Sequence, residues 1–139
     1  MIGTSVQDAF ISRSITALLT TVRLNGTPST SMVSFARRDD RLFFTSTLER
    51  HKGRSLLRDA RCGLTIVNAH EPWSYVTVEG SVVIHTDNPI ELRQLILDRV
   101  DHPDYPWCRE EILPMLVEPS RAIFELVPRH VAGVILAPT

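Results

Sequence analysis

Leu18, Thr20, Val22 and Leu24 alternate with Leu19, Thr21 and Arg23 along "ITALLTTVRL". A period of two in β-branched and apolar residues predicts a strand. Asn25-Gly26 is a hairpin turn, because asparagine and glycine tolerate the positive φ angles of a two-residue connection. The strand "TPSTSMVSFARR" follows, and Asp39-Asp40 turns the chain into "RLFFTST". Three strands therefore form a meander before residue 48. "RCGLTIVN" reads as a fourth strand and "EPWSYVTVEGSVVIHTD" as a long fifth. In the fifth, Val76 and Val78 alternate with Thr77 and Glu79, and Gly80 marks a bulge or sharp bend. "RAIFELVPRHVAGVIL" supplies the sixth, bent or divided at Pro128.

Between these runs the period lengthens. Ser5 is placed to cap a short helix through about Arg13, with Val6, Ala9 and Phe10 on one face. A second helix runs from about Arg50 to Asp59. Asn88-Pro89 starts a third, with proline at the first helical position and "IELRQLILDRV" behind it. Ile90, Leu92, Leu95, Ile96 and Leu97 give that helix a broad apolar face. "DHPDYPWCRE" is a proline-rich loop, and "EEILPMLV" a further short helical segment. The pattern predicts a mainly β domain over residues 1–139, a six-stranded antiparallel barrel with flanking helices.

Composition narrows the function. Of 139 residues, 43% are hydrophobic and 22% charged, as in an ordinary globular domain. No run approaches the roughly 18 apolar residues of a membrane helix. "MIGTSVQDAF" lacks the basic and apolar regions of a secretory signal, which leads to the expectation of a cytoplasmic protein. The net charge of −1 gives poor support for nucleic-acid binding, which depends on neutralising many phosphates. Cys62 and Cys108 are far apart, and the five histidines form neither HxH nor HExxH. No metal site is expected.

The glycines form neither GxGxxG nor GxxxxGK[ST], and there is no GxSxG elbow. No side chain is nominated as nucleophile, general acid or base. The informative stretch is "TSTLERHKGRSLLRDAR". It places Arg50, His51 and Lys52 at a helix start, where the macrodipole already carries partial positive charge. Either these cations are solvated, with Arg54 and Arg58 pairing with nearby acids, or an anion sits among them. A helix start offers free N–H groups, Arg50 a bidentate fork and Lys52 a point charge. Thr45, Ser46 and Thr47 add hydroxyls on the incoming strand.

The order "LLTTVRLNGTPSTSMVSF", "RLFFTSTLERHKGRSLLRDAR", "PWSYVTVEGSVVI" resembles the flavin-type split-barrel superfamily. More narrowly, it is similar to the pyridoxamine-phosphate-oxidase-like proteins of actinobacteria that use the deazaflavin coenzyme F420. The resemblance runs from about Ile15 to Asp87 and returns in "RAIFELVPRHVAG". It implies a homodimer of split barrels with two cofactor sites at the subunit interface. By the same resemblance Arg50 and Lys52 hold the cofactor's phosphate, with His51 contributing backbone. Thr45 and Ser46 line the ring and ribityl chain, and Met32, Val33 and Ser34 lie beneath the tricyclic ring. Trp73, Ser74 and Tyr75 reach the site across the interface. The cofactor then carries the chemistry, passing a hydride to an electron-poor small-molecule substrate.

FMN, in an oxidase or reductase, is the alternative cofactor, and a carrier without turnover the alternative role. An anionic polyglutamate tail calls for a basic strip, for which Arg37, Arg38, Arg50, Lys52 and Arg54 are the candidates. Met32 departs from the polar residue several relatives carry. "DHPDYPWC" has no counterpart in the family pattern and is left outside the predicted site.

Overall fold

The computed structural model describes residues 1–136, so the last three residues of the predicted domain lie outside it. Helix α1 (Ser5–Ser12) precedes β1 (Thr16–Val22), β2 (Pro28–Ser34), β3 (Ala36–Arg38) and β4 (Arg41–Thr47). Then follow α2 (His51–Arg58), β5 (Arg61–Val67), β6 (Tyr75–His85), α3 (Ile90–Leu97), α4 (Arg109–Leu116) and β7 (Arg121–Val134). All pairings are antiparallel, in the order β2-β1-β5-β6-β7-β4-β3. The result is a curled half-barrel with flanking helices.

Among the described residues there are seven strands where the sequence predicts six, because "TPSTSMVSFARR" divides at Phe35. The Phe35 side chain is buried and its N–H donates to the Ile15 carbonyl at 3.0 Å. This residue carries the chain from one edge of the sheet to the other. β2 and β3, adjacent in sequence, therefore end the sheet on opposite sides.

Two apolar clusters hold the sheet. Inside the curl, Phe10, Leu19, Phe44, Leu64, Val78 and Phe124 pack together. The cross-strand rings Phe44 and Phe124 stack with centroids 5.2 Å apart. Outside it, Phe43 and Ile123 pack against Leu92 and Ile96 of α3 and Ile112 and Leu116 of α4. β4 is thus covered on both faces, which explains its unbroken "LFF".

Several boundaries move. Thr4, rather than Ser5, caps α1, in a capping box with Gln7. Pro89 is the extended residue before α3 rather than its first helical residue. The closing strand is continuous past Pro128. Its pairing with β6 shifts register between Glu79 and Gly80, leaving Arg129 as the extra residue of a bulge. A Cβ on Gly80 would lie 2.0 Å from the Val127 carbonyl oxygen, so the bulge requires glycine there.

Candidate functional site

β4 runs out at Thr47 and the chain turns through Leu48–Arg50 into α2. Arg50 is the extended N-cap, and its side chain makes no cap bond, so the guanidinium is free to face outward. Lys52, two residues on, is half-buried between Arg50 and a third cation, Arg121, at the first position of β7. The β4–β7 register sets Arg121 opposite Thr47. Arg121 is only 3% exposed. Its Nε donates to the Met115 carbonyl at 3.1 Å and its Nη2 to Glu118 Oε2 at 3.0 Å.

Burial lowers the Lys52 ammonium below the ordinary lysine range, and the charges of Arg50 and Arg121 lower it further. Burial does the same to Arg121, with Glu118 opposing. Among the described residues, no carboxylate pairs with Arg50 or Lys52. Three cations held together with one acid between them form a site that an oxyanion would stabilise.

Arg50 and Lys52 stand between two cavities. The larger, about 410 Å³, is lined by Met32, Val33, Ser34, Thr45, Arg50 and Lys52, and by Tyr105, Trp107, Glu111, Ile112, Met115 and Arg121. The smaller, about 200 Å³, is lined by Thr21, Ser29, Ser31, Arg50, His51 and Lys52. Arg50 and Lys52 belong to both. One cavity has an apolar floor and aromatic wall; the other is hydroxyl-lined.

Of the predicted residues, Met32, Val33, Ser34, Thr45, Arg50 and Lys52 converge on the large cavity and His51 on the small one. Ser46 does not present its side chain. Neighbours on a strand point to opposite faces, and the buried Ser46 Oγ donates to the Thr47 carbonyl. Trp73, Ser74 and Tyr75 line neither cavity within one chain. Trp73 is 81% exposed, Ser74 is buried and accepts from the Leu136 N–H, and only Tyr75 belongs to β6. The suggested basic strip does not assemble. Arg37 is held by Asp8 and Ser12, Arg38 lies over the Phe43 ring, and Arg54 donates to the Glu49 carbonyl. Arg54 and Arg58 bond carbonyls rather than the acids foreseen for them.

Six residues of the large cavity escape the sequence reading: Tyr105, Trp107, Glu111, Ile112, Met115 and Arg121. Arg121 shows there only as an arginine opening an apolar strand. Tyr105 and Trp107 lie in the proline-rich loop left outside the site, and they form its aromatic wall with ring centroids 5.7 Å apart.

Comparison with known proteins bears on this geometry. Residues 4–134 match the family described as pyridoxamine 5'-phosphate oxidase. A solved F420 reductase superposes with a TM-score of 0.73 at 24% identity, over 94% of this chain and 98% of that one. A conserved hypothetical protein from Mycobacterium tuberculosis gives 0.72 at 20%, over 97% and 86%. The haem storage protein HutZ from Vibrio cholerae gives 0.72 at 16%, over 97% and 95%. At these identities the structural likenesses establish the fold alone. No curated protein matches the sequence.

Proposed function

Because the chain belongs to the pyridoxamine 5'-phosphate oxidase family, we propose that the two cavities sharing Arg50 and Lys52 hold a flavin-type cofactor, coenzyme F420, and that the protein is an oxidoreductase. The cofactor would supply hydride transfer to a small electron-poor substrate. The chain's own residues bind and orient. Arg50, Lys52 and Arg121 neutralise the phosphate, the free N–H groups at the start of α2 bond its oxygens, and Met32 on β2 floors the ring with Thr45 beside it.

The observation that carries this reading is the sharing of Arg50 and Lys52 between the two cavities. A phosphomonoester such as that of FMN ends at its phosphate and needs one cavity. A phosphodiester with a tail continues past the cations, and Ser29, Ser31 and His51 offer it polar donors.

The family resemblance also implies a homodimer, and the outer sheet face suits a second copy. Met32, Leu18, Thr65, Thr77 and Ala132 form one continuous cross-strand row from the cavity mouth to β7. Exposed Trp73 and Tyr75 lie at one end of this face. A dimer joined there would bring them towards the partner's cavity.

Fluorescence titration of cofactor-free protein with F420 and, separately, FMN tests the reading. Saturable binding of F420 in preference to FMN is expected. Preference for FMN would move the function to flavin chemistry, and binding of neither would remove it. Light scattering should give twice the chain mass, and a monomer would exclude the dimeric site.

A further inference from the structure

A third cavity, of about 350 Å³, has Ser12, Ser14, Arg37, Asp39 and Arg99 as its polar lining, beside the Phe35 ring. It shares no residue with the two cavities described above. Ser34 lines the large cavity and Phe35 this one, so the crossover from β2 to β3 stands between them. Most of its polar groups are committed. Arg37 donates through Nε to the Asp39 carbonyl, through Nη1 to Ser12 Oγ and through Nη2 to the Asp8 carboxylate. Ser14 Oγ donates to the Phe10 carbonyl and accepts from Asn68 Nδ2.

Arg99 is the exception. It belongs to a 3-10 turn over Asp98–Asp101 that directly follows α3, and it is partly buried. A guanidinium carries five N–H donors. Among the described residues one bond uses them, from Nη2 to the Ser14 carbonyl at 2.9 Å. Nε is buried without a partner, and no carboxylate pairs with the side chain among the described residues. The guanidinium carbon lies 5.9 Å from the Phe35 ring centroid, a weak attraction beside the hydration it replaces. Burial accordingly pushes Arg99 below the usual arginine range. With Nε closed off, the Nη edge is what Arg99 can offer the cavity. Ser12 Oγ accepts from Arg37, which leaves its own O–H free to donate.

We propose that this third cavity binds the carboxylate of a small organic acid, at a site separate from the cations of α2. A planar carboxylate takes two parallel N–H bonds from the Nη edge of an arginine, and the Ser12 O–H adds a third. The surrounding charge selects the ligand. Arg37 contributes little, because Asp8 offsets it, and Asp39 in the same lining repels anions. One negative charge is therefore favoured over the two of a phosphate. The cavity volume suits a molecule of metabolite size. The proposal uses no residue of the cofactor site and does not rest on the oxidoreductase reading.

Nuclear magnetic resonance of the 15N-arginine-labelled protein reads the site directly through the Arg99 Nε–H signal, assigned through the backbone. Sodium acetate exchanged for sodium chloride at constant ionic strength and pH 7 should move that signal to a plateau. S12A should raise the half-saturating concentration about tenfold, as for one hydrogen bond to a charged group. At ten times that concentration, acetate should raise the wild-type melting midpoint about 5 °C more than that of R99M. An Arg99 signal that stays still, or drifts without saturating alongside the other arginines, would overturn the proposal. So would saturation by phosphate but not by acetate, or equal thermal gains in wild type and a folded R99M. The titration of wild type decides the matter if R99M does not fold. Failure to bind either cofactor would leave these results untouched, so the two readings fail separately.

Discussion

Gly53 lies so close to Thr47 that a Cβ built on it would fall 2.3 Å from the Thr47 carbonyl oxygen. The first turn of α2 is thereby seated on the end of β4, which fixes the height at which Arg50 and Lys52 meet the cavities. Gly53→Ala should destabilise the fold by about 1–3 kcal/mol, as for overpacking, and weaken cofactor binding as the turn is displaced. Urea denaturation and a binding titration measure the two effects. An unchanged midpoint would show that the strand end yields without cost.

Removing one cation isolates the anion site from the fold. Lys52→Ala should weaken cofactor binding by about 1.5–3 kcal/mol, the value of one charge-assisted hydrogen bond, without unfolding the protein. Equal affinity in wild type and variant for both candidate cofactors would contradict the assignment.

The lowered Lys52 ammonium gives binding a pH dependence. Above its folded pKa the free protein has lost the charge, whereas a bound anion favours keeping it. Affinity should therefore fall as pH rises, from a point below the ordinary lysine value of 10.5. Folding without ligand has the opposite sign. The unfolded chain holds this proton more tightly, so stability rises with pH between the folded and unfolded values. Lys52→Arg should flatten both profiles, since arginine stays charged.

The two thiols should differ in reactivity. Burial pushes Cys62 up to about 12, whereas Cys108 is exposed at the start of α4 with its thiol held by Glu111. A disulfide reagent should modify one thiol in native protein and the second only after denaturation. Glu111→Gln should speed the first reaction, because the Glu111 hydrogen bond is the largest influence raising that thiol.

Trp107 stands edge-on to Tyr105 with its ring plane at 75°. Occupation of the large cavity should quench its fluorescence, and Trp107→Phe should abolish most of the change. Persistence of the full signal would assign it to Trp73, at the other end of the sheet face.

The strands and the cation turn were legible because each is written locally. Alternation marks β1, Asn25-Gly26 marks its hairpin, and "ERHKG" announces charge where a helix begins. The break at Phe35 was hidden because its cause is distant: one buried ring and a bond to Ile15. Arg121 was hidden for the same reason, since it meets Lys52 only through the β4–β7 register. Ser46 is the reverse case. The resemblance named the strand segment, but alternation on β4 turns one of two adjacent hydroxyls away. Tyr105 and Trp107 sit among prolines, where periodicity carries no signal.

The placement of Arg121 on β7 also orders events in time. A ribosome delivers Arg50 and Lys52 about seventy codons before Arg121, and the strand bearing Arg121 must pair with both β6 and β4. Such long-range closure comes late in folding. The nascent chain therefore carries Arg50 and Lys52 without Arg121, and the proposed anion site is complete only as β7 docks.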